Sequence, residues 1–157
     1  MNLASCPWLE ADIICHSLRL NNSFMHWTGN RLTDAPLSPE ELAKWLFQAP
    51  FVLLSHGIES DPILNYANQA GLDLWETNWL ALTQMPSRLT AEPSERKDRA
   101  QLLNQATQTG YLAHYQGIRI STTGRRFAIE DAEIWDVLDE QGQKCGQAAK
   151  FGHWQYL

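Results

Sequence analysis

The chain has 157 residues, 44% of them apolar and 19% charged, and a net charge of −6. That length suits one domain with an extension and buries roughly 70% of the unfolded surface, enough for a core without metal or disulfide staples. The acidic balance and the lack of a basic stripe argue against direct nucleic-acid binding, which depends on neutralising phosphates with Lys and Arg.

Cys6, Cys15 and Cys145 are odd in number, far apart and outside any CxxC pairing. Reduced thiols in the cytoplasm are the economical expectation. The first twenty residues lack a basic start followed by a long apolar run, so no signal peptide is expected. No segment approaches the roughly 18 apolar residues of a membrane span. Seven tryptophans must be buried, paired or placed at an interface.

Residues 8–28 read as a helix, with Leu9, Ile13, His16, Leu20, Phe24 and Trp27 on one stripe and Gly29 as its stop. "SPEE" opens a second helix: Ser38 as N-cap, Pro39 at the first helical position and Glu41 closing a capping box. "FVLLSHG" (51–57) reads as a buried strand, and Ile63–Tyr66 as a second. Asn68 caps a helix with apolar positions Leu72, Trp75 and Trp79, with a further helical turn from Thr77. "MPSRLTAEP" (85–93) reads as an extended loop. Residues 93–110 read as a helix that turns Leu102, Leu103 and Ala106 inward and its charges to solvent. Segments 111–123, 125–139 and 143–154 are strands parted by turns at Gly124 and "DEQGQ".

The order is strand, strand, helices, then a three-stranded meander, an α+β arrangement. It resembles a PAS domain, and "NYANQAGLDLWETNWLAL" resembles the strand, Asn and helix of the PAS signature. Near Glu76 the usual glycine is replaced, so that turn must be built differently. From about Val52 to Trp154 the chain resembles the MEKHLA domain, a PAS-like family. The matching segments are "SHGIESDPILNYAN", "MPSRLTAEP", "GYLAHYQGIRISTTGRRF", "IWDVLDEQG" and "GQAAKFGHW". That family occurs as small stand-alone proteins, notably in cyanobacteria, and as the C-terminal part of plant class III homeodomain leucine-zipper factors. The stand-alone type is expected here, since the chain has no homeodomain and no zipper heptads. The resemblance implies a PAS-like five-stranded antiparallel sheet with flanking helices over residues 50–157, behind an N-terminal helical extension, residues 1–49. It implies a regulatory or sensory role with an unknown cofactor or ligand.

Candidate ligand-binding residues follow. Strand alternation puts Arg119 and Ser121 on one face and Ile118 and Ile120 on the other. Arg119 is either an anion clamp or half of a structural ion pair with Glu92, Glu130 or Asp131. Ser87 and Arg88, in "PSR", either hold a polar ligand group or serve a cap and a surface ion pair. Tyr66, Trp75, Trp79 and Trp135 line a cavity or fill a core. Gly146 and Ala148 allow a close approach, by the N-terminal helix or by a ligand. No metal-ligand spacing links the five histidines, and His114 has no local support as a haem ligand. Ser55, His56 and Asp61 invite a catalytic triad, but neighbours on a strand point to opposite faces.

The reading is a sensory module that binds a small molecule and signals through association, with a homodimer or another protein as partner. Leu9, Ile13, Leu20, Phe24 and Trp27 are the expected interface. The alternatives are a ligand-free interaction module and an uncharacterised small enzyme.

Overall fold

The computed structural model describes residues 6–157. A short 3₁₀ turn, Pro7–Leu9, leads into α1, Ala11–Thr28, and α2, Pro39–Phe47. Strands β1, Val52–His56, and β2, Leu64–Ala67, precede α3, Gln69–Leu74, and α4, Trp79–Leu82. A 3₁₀ turn at Ser87–Thr90 and α5, Arg96–Thr109, lead to β3, Tyr111–Ile120, β4, Arg126–Leu138, β5, Lys144–Phe151, and β6, His153–Tyr156.

All the strand pairs are antiparallel, in the order β2-β1-β5-β4-β3. The last expected strand is broken at Gly152: β5 pairs with residues 133–138 of β4, and β6 with residues 127–130. Segment 85–93, expected as extended loop, carries the 3₁₀ turn instead.

Directly opposed residues in antiparallel strands point to the same face. Tyr66, Ser55, Ala148, Trp135 and Tyr111 therefore form one row across the sheet. The adjacent row, Ala67, Leu54, Ala149, Ile134 and Leu112, lies on the other face. The sheet is covered on both sides. On the first face Ile13, Leu20 and Phe24 of α1 and Leu42 and Leu46 of α2 pack with Leu53, Tyr66, Trp135 and Val137. On the second, Trp75 after α3 and Ala106 of α5 pack with Val52, Phe127, Ile134 and Phe151.

Local chemistry fixes these elements. The capping box forms as expected: Ser38 Oγ accepts from Glu41 N–H, and Glu41 accepts from Ser38 N–H. Buried Asn68 ties several elements together. Its Oδ1 accepts from the Gly71 and Leu53 N–H groups, and its Nδ2 donates to the Leu46 and Phe51 carbonyls. Helix α1 is pinned to β4, where Trp27 Nε1 donates to the Asp136 carbonyl at 2.9 Å and Ser23 Oγ accepts from Leu138 N–H at 2.7 Å. Gly110 ends α5 at φ 81°, with the Trp27 ring lying where a side chain would start.

Gly146 corrects an expectation. A Cβ there would come within 2.4 Å of the His56 carbonyl, so the close approach is made by the neighbouring strand rather than by α1.

Candidate functional site

The two faces differ in how they close. Between the second face and the α3–α5 side lies a cavity of about 50 Å³. Leu54, Trp75, Ile129, Ile134 and Phe151 supply much of its apolar wall. Trp75 meets Phe127 edge-on at 5.1 Å, and its indole N–H is buried without a hydrogen-bond partner.

Arg119 of β3 and Arg99 of α5 are among the residues that line this apolar space, and both also border an adjoining groove. Arg119 is 6% exposed. It donates to the Ile118 carbonyl at 2.8 Å and to the Tyr115 hydroxyl, and it lies 5.4 Å from the Tyr115 ring centre. The expected ion pair is not formed: Glu92 binds Arg126, Asp131 binds His114, and among the described residues Arg119 has no carboxylate partner. Arg99 is partly buried and likewise has none among the described residues. Burial and then the charge of Arg119 lower the Arg99 pKa to about 10.

The position near Glu76 holds Trp75 in place. Glu76 adopts φ 56°, the conformation a glycine takes freely, and the β3–β4 turn clamps it. Ser121 Oγ donates to its carboxylate at 2.6 Å, Thr123 adds a second bond, and Thr122 Oγ1 donates to its carbonyl at 2.7 Å. These side-chain bonds hold the Glu76 carboxyl below its ordinary pKa. Ser121 thus serves the turn that fixes the cavity wall.

Of the residues expected to bind a ligand, Trp75 and Arg119 come together at the cavity. Tyr66 and Trp135 lie in the α1-side core: Trp135 meets Phe24 at 4.8 Å, and Tyr66 meets Trp79 at 5.7 Å. Ser87 and Arg88 border a separate outer groove, where Arg88 pairs with Asp61 at 3.2 Å. In the expected interface, Ile13, Leu20, Phe24 and Trp27 are seated on the chain's own sheet, while Leu9 is 49% exposed.

Ser55, His56 and Asp61 do not assemble. His56 Nδ1 bonds the Gly57 carbonyl at 2.9 Å, and Asp61 is held by Arg88. Ser55 Oγ instead donates to Asn65 Oδ1 at 2.5 Å and lies 2.8 Å from His16 Nε2 of α1. Burial, reinforced by Arg19 and offset in part by Asp12, lowers the His16 pKa to about 4. His114 sits on an exposed bulge at φ 57° and pairs with Asp131 at 2.6 Å. Among the described residues no group of three or more His, Cys, Asp or Glu could hold a metal, and no helix is long and apolar enough to cross a membrane.

Arg99 is not among the expected site residues, because the charges of α5 read as one solvated face. A signal was present: Arg99 stands three, four and seven positions before Leu102, Leu103 and Ala106, and so shares the inward stripe.

The sheet order and the helices packed on the cavity side define a PAS-like fold. Solved structures agree. The PAS domain of a protein from Colwellia psychrerythraea is similar at 12% identity and TM-score 0.60, covering 73% of this chain and 92% of that one. A light-oxygen-voltage domain studied with a flavin analogue is similar at 15% identity and TM-score 0.58, covering 74% and 84%. At these identities the likeness concerns the fold alone.

The family model for the MEKHLA domain matches residues 14–156, and the chain belongs to the MEKHLA family. The matched region takes in most of α1 and all of α2, not only the sheet and its cavity-side helices. The homeobox-leucine zipper protein REVOLUTA of Arabidopsis thaliana is 30% identical over 144 residues, which cover 88% of this chain and 17% of that protein. HOX29 of Oryza sativa subsp. indica is 30% identical over 109 residues, covering 69% of this chain and 13% of that protein. The chain thus spans under a fifth of the length of these curated relatives.

Proposed function

We propose that the chain is a regulatory sensor that takes a small molecule into the cavity between its sheet and the α3–α5 side. One observation carries this reading: an apolar space beside the sheet is lined by Arg119, which is buried without a carboxylate partner among the described residues. Ligand sites are typically apolar spaces with a few convergent polar groups. The family membership and the fold support a PAS-like regulatory role.

The output of this module is association with a second copy or another protein. Helix α1 is the proposed route, and because its stripe is seated on its own sheet, a second copy engages it by exchange. The proposed division sets an N-terminal helical extension, residues 1–49, against a sensor core, residues 50–157. Three free thiols fit a reducing compartment, and the cytoplasm is the proposed location.

Native mass spectrometry of freshly purified protein, compared with the denatured mass, tests both halves. The expected result is an extra small mass lost on denaturation, together with a paired species. A clean single-chain mass, unchanged when candidate ligands are added, would favour the runner-up, a ligand-free interaction module. The modest cavity of about 50 Å³ is the observation on that reading's side.

A further inference from the structure

We propose that the ligand is a small organic carboxylate, its headgroup held by Arg119 and Arg99 and its short aliphatic tail lodged in the cavity beside Trp75. This deepens the sensor reading and rests on it.

The α5 side carries an electrostatic imbalance. A guanidinium taken out of water needs a counter-charge or a full set of acceptors, and two in one apolar space need it more. Arg119 has the Ile118 carbonyl and the Tyr115 hydroxyl, which use two of its five N–H donors. Arg99 faces the same cavity and feels the charge of Arg119. Both also border an adjoining groove of about 390 Å³ between α5 and β3. Glu95, Asp98 and Glu130 line that groove, but none stands within ion-pair distance of either arginine. The counter-charge is therefore left to an occupant.

The remaining donors suit a carboxylate. The Tyr115 hydroxyl accepts from Arg119, so its own proton is free to be donated. Trp75, whose indole N–H is buried and unpartnered, lines the part of the cavity that takes the tail. Guanidinium groups bind carboxylates through parallel, charge-assisted hydrogen bonds. The apolar wall sets the rest of the molecule. A space of about 50 Å³ bounded by Leu54, Ile129, Ile134 and Phe151 takes only a few heavy atoms. A short aliphatic tail fits there, and anything longer extends into the groove.

The test is a heteronuclear NMR titration of the full chain with butyrate and isovalerate, their amides, and inorganic phosphate. The Trp75 indole N–H, identified through Trp75→Phe, is the reporter. The expected result is that the acids shift it and perturb the backbone around residues 99 and 119, while the amides bind at least about tenfold more weakly. Arg119→Met abolishes the response, and Arg99→Gln, at a partly exposed site that tolerates a polar side chain, weakens it independently. Equal responses to acids and amides would overturn the carboxylate but leave the cavity as a ligand site. A response to phosphate equal to that of the acids would overturn the aliphatic tail. No response at any cavity residue from any probe would sink the carboxylate, while a co-purified small mass in the native spectrum would still uphold the sensor reading.

Discussion

The two faces of the sheet are built from similar aromatic material and closed by different physics. On the α1 side Phe24, Tyr66 and Trp135 fill the space, with the Tyr66 hydroxyl and the Trp135 indole N–H buried without partners, and the groups that dock the helix are bonded, as in His16 with Ser55 and Ser23 with Leu138. On the α5 side Trp75, Phe127 and Phe151 leave a void, and Arg99 and Arg119 border it without carboxylate partners among the described residues. A filled face contributes stability. A face with an unfilled space and unpaired charge gives some up, and that fits a binding surface better than a core.

The largest expected effect breaks the filled face. Trp135 is 0% exposed, and Trp135→Ala should lower unfolding free energy by about 3–5 kcal/mol in urea titration. A loss under about 1 kcal/mol would show that this face is as loose as the other.

A smaller effect sharpens the contrast through pH. The His16 pKa falls to about 4 in the folded chain from an ordinary value near 6.5. Between those values the unfolded chain binds more protons, so stability rises with pH across that window and is lost as pH falls through it. The facing groups are Ser55 of β1, Asn65 and Tyr66 of β2, and Asp12 and Arg19 of α1 itself. His16→Asn should remove on the order of 2 kcal/mol of the difference in unfolding free energy between pH 7 and pH 4. An undiminished difference would assign it to other groups.

The smallest effect tests the void. Ala132 is buried and lines the cavity, so Ala132→Val should change stability by less than about 1 kcal/mol, whereas overpacking a filled site costs about 1–3. Calorimetric unfolding would check it, and a loss of 2 kcal/mol or more would mean that the wall has no room.

Much of the fold was legible because it rests on local rules. The Ser38 capping box, the Asn68 cap, Gly110 past the end of α5 and the turns of the meander each show in a few adjacent residues. The site was legible in part. Of the expected residues Trp75 and Arg119 stand at the cavity, whereas Tyr66 and Trp135, expected beside them, lie on the other face. Alternation says which residues share a face of one strand. It does not say which face meets which helix, and a sheet buried on both sides reads as apolar either way.

The sequence by itself determined most of the elements, their order and the family, because capping, periodicity and turn chemistry act over a few residues. Only the tertiary structure decided that α1 lies on its own sheet, that Arg99 reaches the space occupied by Arg119, and that Glu92 and Asp131 are taken by other partners. Those outcomes depend on residues tens of positions apart competing for the same neighbours, and burial sets the cost of each unpaired charge only once the chain has closed around it.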